Sequence, residues 1–151
     1  MMQEFLLNNI ETYISLMSKI KEGIVIHQED TSIVYANPSA CKILGLSEDQ
    51  LLGKTATEHE WYFVNEDNEA LSFDAYPVNL LFSCEEDISQ MIIGVHSSKT
   101  DLKWVELSAS IARNATNERM ALMIFNDVTA RKNAFEDAEL FRKLVDIVDT
   151  G

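Results

Sequence analysis

Ile33-Val34-Tyr35-Ala36-Asn37-Pro38-Ser39-Ala40 changes character at its midpoint. Its first half is β-branched or aromatic, as suits a strand, and Asn37-Pro38 then reads as a helix start. Asparagine accepts from an orphan backbone N–H there, and proline at the first helical position loses no bond. Upstream, Ile24-Val25-Ile26-His27 is a second strand-like run, and Glu29-Asp30-Thr31 supplies turn residues between the two. A hairpin running straight into a helix is therefore expected. That helix takes in Ala40, Ile43 and Leu44 and stops at Gly45. Ser47-Glu48-Asp49-Gln50 has capping-box spacing and opens another short helix, closed by Gly53.

Toward the N-terminus, Leu6, Ile10, Tyr13, Met17 and Ile20 fall on one stripe of a helix over residues 3–20, and Gly23 suits its C-cap. Toward the C-terminus, residues 55–84 are poorly periodic. Trp61-Tyr62-Phe63-Val64 suits a short strand with a polar turn after it at 65–68. Residues 74–82 read as one helix with Asp74 as cap and Pro77 in its first turn, and Glu85-Glu86-Asp87 as a solvated charged loop. Met91, Ile93 and Val95 alternate with their neighbours, as do Val105, Leu107, Ala109 and Ile111, the pattern of half-buried strands. The unbroken apolar run at 120–125 suits a central strand covered on both faces. After Asn126 a helical stripe returns through Ala134, Ala138, Phe141, Val145 and Val148. This order predicts an α+β fold: an antiparallel sheet of about five strands with short helices on one face, flanked by amphipathic N- and C-terminal helices. The expected division is a flanking helix at 1–22, a globular body at 23–128 and an outgoing helix at 129–151.

Composition narrows the function. The 151 residues fit one ordinary domain, and 46% apolar with 25% charged is the balance of a globule. Twelve basic residues against 25 acidic leave a formal net charge of −13, which argues against nucleic acid or anionic lipid as partner. No apolar stretch approaches the ~20 residues that span a bilayer. Met1-Met2-Gln3-Glu4 lacks the basic start of a secretory signal, and Cys41 and Cys84 are too few for a disulfide framework. The expectation is a cytoplasmic, reduced protein with no membrane segment of its own, or a piece of a longer one.

Four features together resemble a PAS (sensory box) domain over residues 23–132. The hairpin Gly23-Ile24-Val25-Ile26 with Ile33–Ala36 running into Asn37-Pro38-Ser39-Ala40 is similar to that family's opening. Leu44-Gly45-Leu46-Ser47 and Leu51-Leu52-Gly53-Lys54 resemble its Gly-hydrophobic-Ser and Leu-hydrophobic-Gly-Lys signatures. Lys103-Trp104-Val105-Glu106 resembles the strand after its polar turn, and Asp127-Val128-Thr129-Ala130-Arg131-Lys132 its Asp-hydrophobic-Thr closing motif. In addition, Leu16–Gly23 and Leu144–Gly151 share a leading Leu, apolar second and fifth positions and a final Gly, which suggests that a second sensory domain follows in a longer protein.

No catalytic constellation is legible. His27, His59 and His96 lie in separate segments without a neighbouring nucleophile motif, and Glu58-His59-Glu60 cannot converge on a metal from consecutive positions. The resemblance implies a general-purpose pocket between the sheet and the short helices. Its expected lining is Trp61, Phe63, Tyr76, Leu81, Ile93, Leu107 and Met123, each of which also suits a plain hydrophobic core, with His59 and Asn79 as polar groups. Covalent flavin is not expected, because Cys41 lacks the Asn-Cys-Arg-Phe context of light-sensing relatives. Haem is not expected either, since residues 74–82 hold no axial histidine. An unidentified small ligand remains. Asp127, Thr129 and Arg131 are the signal-relay candidates: Thr129 as helix cap, and Asp127 with Arg131 as a pair four residues apart. The reading is a non-enzymatic sensory module. It would form a homodimer through its flanking helices and pass its state to a C-terminal effector, a histidine kinase or diguanylate cyclase. The alternative is a ligand-free structural dimerisation module.

Overall fold

The computed structural model describes residues 2–54, 61–97 and 102–150. In chain order it has α1 (Met2–Ser18), β1 (Gly23–His27), β2 (Ile33–Ala36), α2 (Pro38–Leu44), α3 (Glu48–Leu51) and β3 (Trp61–Val64). After a 3-10 turn at Phe73–Ala75 come α4 (Pro77–Cys84), β4 (Ile88–Ser97), β5 (Lys103–Arg113), β6 (Arg119–Asp127) and α5 (Thr129–Thr150). The strands make one antiparallel sheet in the order β2-β1-β6-β5-β4-β3. The α+β class is as expected, with six strands instead of five. The sixth is β3, the short strand expected at 61–64 but left out of that count, which pairs with β4 at the sheet edge.

The opening stretch folds as its chemistry dictates. Asn37 caps α2 by accepting from the Ala40 N–H at 2.9 Å, Pro38 takes the first helical position, and Gly45 ends the helix at φ 72°. The Asn37 side chain is fully buried and does more than cap. Its Oδ1 also accepts from Ile24 N–H at 2.9 Å, while its Nδ2 donates to the carbonyls of Met17 and Glu22 at 3.1 and 2.9 Å. The exit of α1 is thereby tied to β1 and α2. Ser47 and Gln50 form the reciprocal capping box of α3.

Three expectations are corrected. Gly23 is not a helix cap; it is the first residue of β1, opposite Phe125 of β6. Residues 74–82 are not one helix: the 3-10 turn precedes α4, whose N-cap is Tyr76, because Pro77 pushes the residue before it out of helical geometry. Strand β6 is covered on one face only. Ala121, Met123 and Phe125 point into the core, whereas Leu122 and Ile124 on the other face are half-buried.

The core lies between one face of the sheet and the layer formed by α2, α3 and α4. Arg119, at the start of β6, pins that layer down. It pairs with Glu29 of the β1–β2 turn at 2.6 Å and with Glu85 after α4 at 2.7 Å. It also donates to the Phe82 carbonyl at 3.1 Å and lies over the Phe82 ring. Glu85 is thus an anchored residue and not part of a merely solvated run.

Candidate functional site

Two places in the molecule hold the sequence-derived candidates: a cavity inside the core and the junction where β6 passes into α5. The cavity encloses about 60 Å³ between the sheet and the start of α4. Its floor is Val25 and His27 of β1, Ile93 and Val95 of β4, Val105 and Leu107 of β5, and Met123 and Phe125 of β6. Ile33, Leu44, Trp61 and Phe63 close its sides, and Tyr76, Pro77 and Val78 its roof. Floor residues alternate along each strand, so one face of the pleat supplies them all.

Trp61, Phe63, Tyr76, Ile93, Leu107 and Met123 stand together on this wall. Leu81 is fully buried in the core outside the lining. Asn79 also stands apart, its Nδ2 donating to the Phe73 carbonyl at 2.7 Å, which fastens the 3-10 turn to α4. His59, with Glu58 and Glu60, lies outside the described residues. The aromatic side of the wall is interlocked: the rings of Phe63 and Tyr76 meet edge-on at 4.7 Å, and the Tyr76 hydroxyl is hydrogen-bonded to the Phe63 backbone. Burial pushes that phenol's pKa up.

The polar member that sequence reading missed is His27. It is 9% exposed, and its Nδ1 lies 2.7 Å from the Thr31 carbonyl across the hairpin turn. Burial holds its pKa below the usual histidine value, with the Thr31 bond a smaller opposing effect. A histidine in an alternating strand carries no signal of which face it occupies until the register is known. Cys41 is half-buried against the core, and burial pushes its thiol up, away from the reactive thiolate. Among the described residues no group of histidine, cysteine and carboxylate side chains converges as a metal site would need.

At the junction, the expected Asp127–Arg131 pair is not made. Asp127 Oδ1 instead accepts from the N–H and the hydroxyl of Thr129, at 3.0 and 2.6 Å. Arg131 reaches across to Glu106 of β5 at 2.5 Å. Four residues along a helix face do not converge when the first of them still belongs to a strand. Thr129 is also not the cap; it is the first helical residue, and Asp127 serves it. Thr129 Oγ1 in turn accepts from Trp104 N–H at 2.9 Å, and Val128 N–H donates to the Trp104 carbonyl at 2.8 Å. Both backbone polar groups of Trp104 are therefore held by the start of α5.

The Trp104 ring packs on the outer sheet face with Val64 and Val128, and the Lys132 ammonium lies 4.4 Å from its centroid. Lys132 and Glu106 complete the junction, and neither was a sequence candidate. Beyond this first turn α5 stands clear, with Phe141, Val145 and Val148 exposed. Ile10 and Tyr13 on α1, and Ile20 just beyond its end, are exposed likewise. No helix among the described residues is long and apolar enough to cross a membrane.

Comparison with known proteins completes the description. A family model described as PAS domain matches residues 21–130. No curated protein matches the sequence. Among solved structures, an RNA-binding light-oxygen-voltage receptor superposes with TM-score 0.67 at 17% identity, over 98% of this chain and 40% of that one. This chain thus spans well under half of that receptor. The PAS domain of an HTR-like protein from Haloarcula marismortui gives TM-score 0.62 at 17% identity, covering 83% of this chain and 96% of that one. The PAS domain of nitrogen regulation protein NR(II) from Vibrio parahaemolyticus gives 0.56 at 12%, covering 76% and 95%. At such identities the likeness speaks to the fold.

Proposed function

Because this chain belongs to the PAS domain family, a family of sensory signalling modules, we propose that its cavity takes a small ligand and that the β6–α5 junction carries the response outward. One observation supports the coupling. Val105 lines the cavity, and its chain neighbour Trp104 is the residue whose N–H and carbonyl hold α5. Successive residues of a strand face opposite sides. An occupant that displaces Val105 on the inner face therefore moves the peptide to which the outgoing helix is fastened. The helix would pass this movement to an effector, a histidine kinase or diguanylate cyclase. Its exposed apolar stripe and that of α1 would meet the same stripes of a second copy.

The two tryptophans stand at the two ends of this path, Trp61 at the cavity and Trp104 at the junction. The chain labelled with 5-fluorotryptophan and pressurised with xenon, a probe for dry apolar cavities, reports both ends by fluorine NMR. Both resonances are expected to shift in the native chain. In Thr129→Val, which keeps the side-chain shape and removes the Oγ1 bonds, only the Trp61 resonance shifts. Two silent resonances would mean that the cavity takes no occupant. A shift at Trp61 alone in the native chain would mean that the junction is not coupled to it.

A further inference from the structure

The arrangement that joins Val105 to α5 recurs on β1. Val25 lines the cavity, and both backbone polar groups of its chain neighbour Ile24 are held by Asn37. Ile24 N–H donates to Asn37 Oδ1 at 2.9 Å, and the Ile24 carbonyl accepts from Asn37 N–H at 3.0 Å. From this we propose that Asn37 is a positioning residue that couples the cavity to the incoming helix α1, so that an occupant moves α1 and α5 by separate routes. This rests on the reading of the cavity as a ligand site.

A side-chain amide offers two accepting and two donating positions, and Asn37 fills all four. Its Oδ1 accepts from Ile24 N–H and Ala40 N–H, each at 2.9 Å, and its Nδ2 donates to the carbonyls of Met17 and Glu22 at 3.1 and 2.9 Å. The orientation is forced, because the N–H groups only donate and the carbonyls only accept. The group is fully buried, where a lost partner is costly, so its partners move together.

Asn37 also sets the direction in which α1 leaves the body. From Ile10 to Leu16 every side chain of α1 is exposed, and the helix meets the body at Met17, which is half-buried. Ser39 Oγ donates to the Ile20 carbonyl at 2.6 Å and ties this exit to α2, while Asn37 ties it to β1 as well. Val25 and Ile24 face opposite sides of the sheet. An occupant that presses on Val25 moves the peptide whose carbonyl is bonded to Asn37, and one side chain carries the shift to Met17 and Glu22. Such a coupling is reciprocal: a change imposed on α1 alters the affinity of the cavity by the same factor.

One label reads both ends of this route. Met123 lines the cavity and Met17 stands at the exit of α1, so the full chain carrying ¹³C in its methionine methyl groups is pressurised with xenon and followed by NMR. Both methyl resonances are expected to shift in the native chain. In Thr129→Val the Met17 shift persists, because its route does not pass through the β6–α5 junction. In Asn37→Ser, which keeps a cap for α2 and removes the Nδ2 bonds, Met123 still shifts and Met17 loses most of its response. A native chain in which Met123 shifts and Met17 is silent overturns the inference and leaves the cavity reading standing. A Met17 shift that disappears in Thr129→Val, or that keeps its full size in Asn37→Ser, overturns it too. Should Asn37→Ser not fold, the native chain and Thr129→Val decide between them. If xenon moves neither methyl, the cavity takes no occupant and both readings fall.

Discussion

Gly23 has no side chain for a reason that lies across the sheet. It stands opposite Phe125, and a Cβ on it would come within 2.5 Å of the Phe125 ring, which the core holds on its other side. Gly23→Ala is therefore expected to destabilise the fold by about 1–3 kcal/mol through overpacking, read as a lower urea midpoint with an unchanged m-value. An unchanged midpoint would show that the ring has room to move. Sequence reading met this glycine as a helix end, because a close approach between strands about a hundred residues apart leaves no local trace. Asn37 illustrates the same boundary. Its cap on α2 lies three residues away and was legible, whereas its bonds to Met17 and Glu22 come from a segment that only the fold brings near. His27 was passed over for the same reason: nothing within its strand says that it would line the cavity, with its ring fixed by a carbonyl from the turn.

Among the elements, the hairpin, the capped short helices and the alternating strands were readable because caps, glycines and alternation act over a few residues. Ile93 and Leu107 belong to alternating runs, and together with Met123 they stand on the wall where the family resemblance led them to be expected. What escaped were contacts that join separate elements. Arg119 draws together the β1–β2 turn and the end of α4, using Glu29, Glu85 and the Phe82 carbonyl. Its planar fork spreads five donors toward acceptors on separate elements, whereas a lysine offers one compact ammonium. In Arg119→Met, amide exchange is expected to become severalfold faster at both Thr31 and Glu85, whose N–H groups close that turn and that helix end. The amide of Leu52, at the end of α3, serves as the unaffected reference. Arg119→Lys is expected to restore protection at one end at most. Exchange that is unchanged at both amides would mean that the two elements hold themselves in place. At the junction the error had a similar origin. Asp127 and Arg131 were read as helix neighbours, but the helix begins between them, and each finds its partner in a different direction.

For the molecule as a whole, the exposed stripes of α1 and α5 bear on assembly. Ile10 and Tyr13 are 53% and 63% exposed, and Phe141 and Val148 are 69% and 77% exposed. Apolar stripes of this kind on otherwise polar helices are where a second chain gains most by binding. The net charge of −13 opposes non-specific association. Under the proposed homodimer, light scattering at micromolar concentration gives twice the 17.1 kDa chain mass. The double variant Ile10→Glu with Phe141→Glu returns it to one chain. A native chain that scatters as a monomer ends the proposal. The register between β1 and β6 carries a last consequence. Since Gly23 lies opposite Phe125, the chain enters β1 from α1 and leaves β6 for α5 at the same end of two neighbouring strands. The chain's entry into β1 and its exit from β6 are thus on neighbouring strands, about one strand spacing apart, roughly 5 Å, where Gly23 faces Phe125. Topologically the globular body hangs from the chain at one place. Such a body is a cassette: it can be spliced into a helical rod, or excised from it, while the severed ends stay within joining distance.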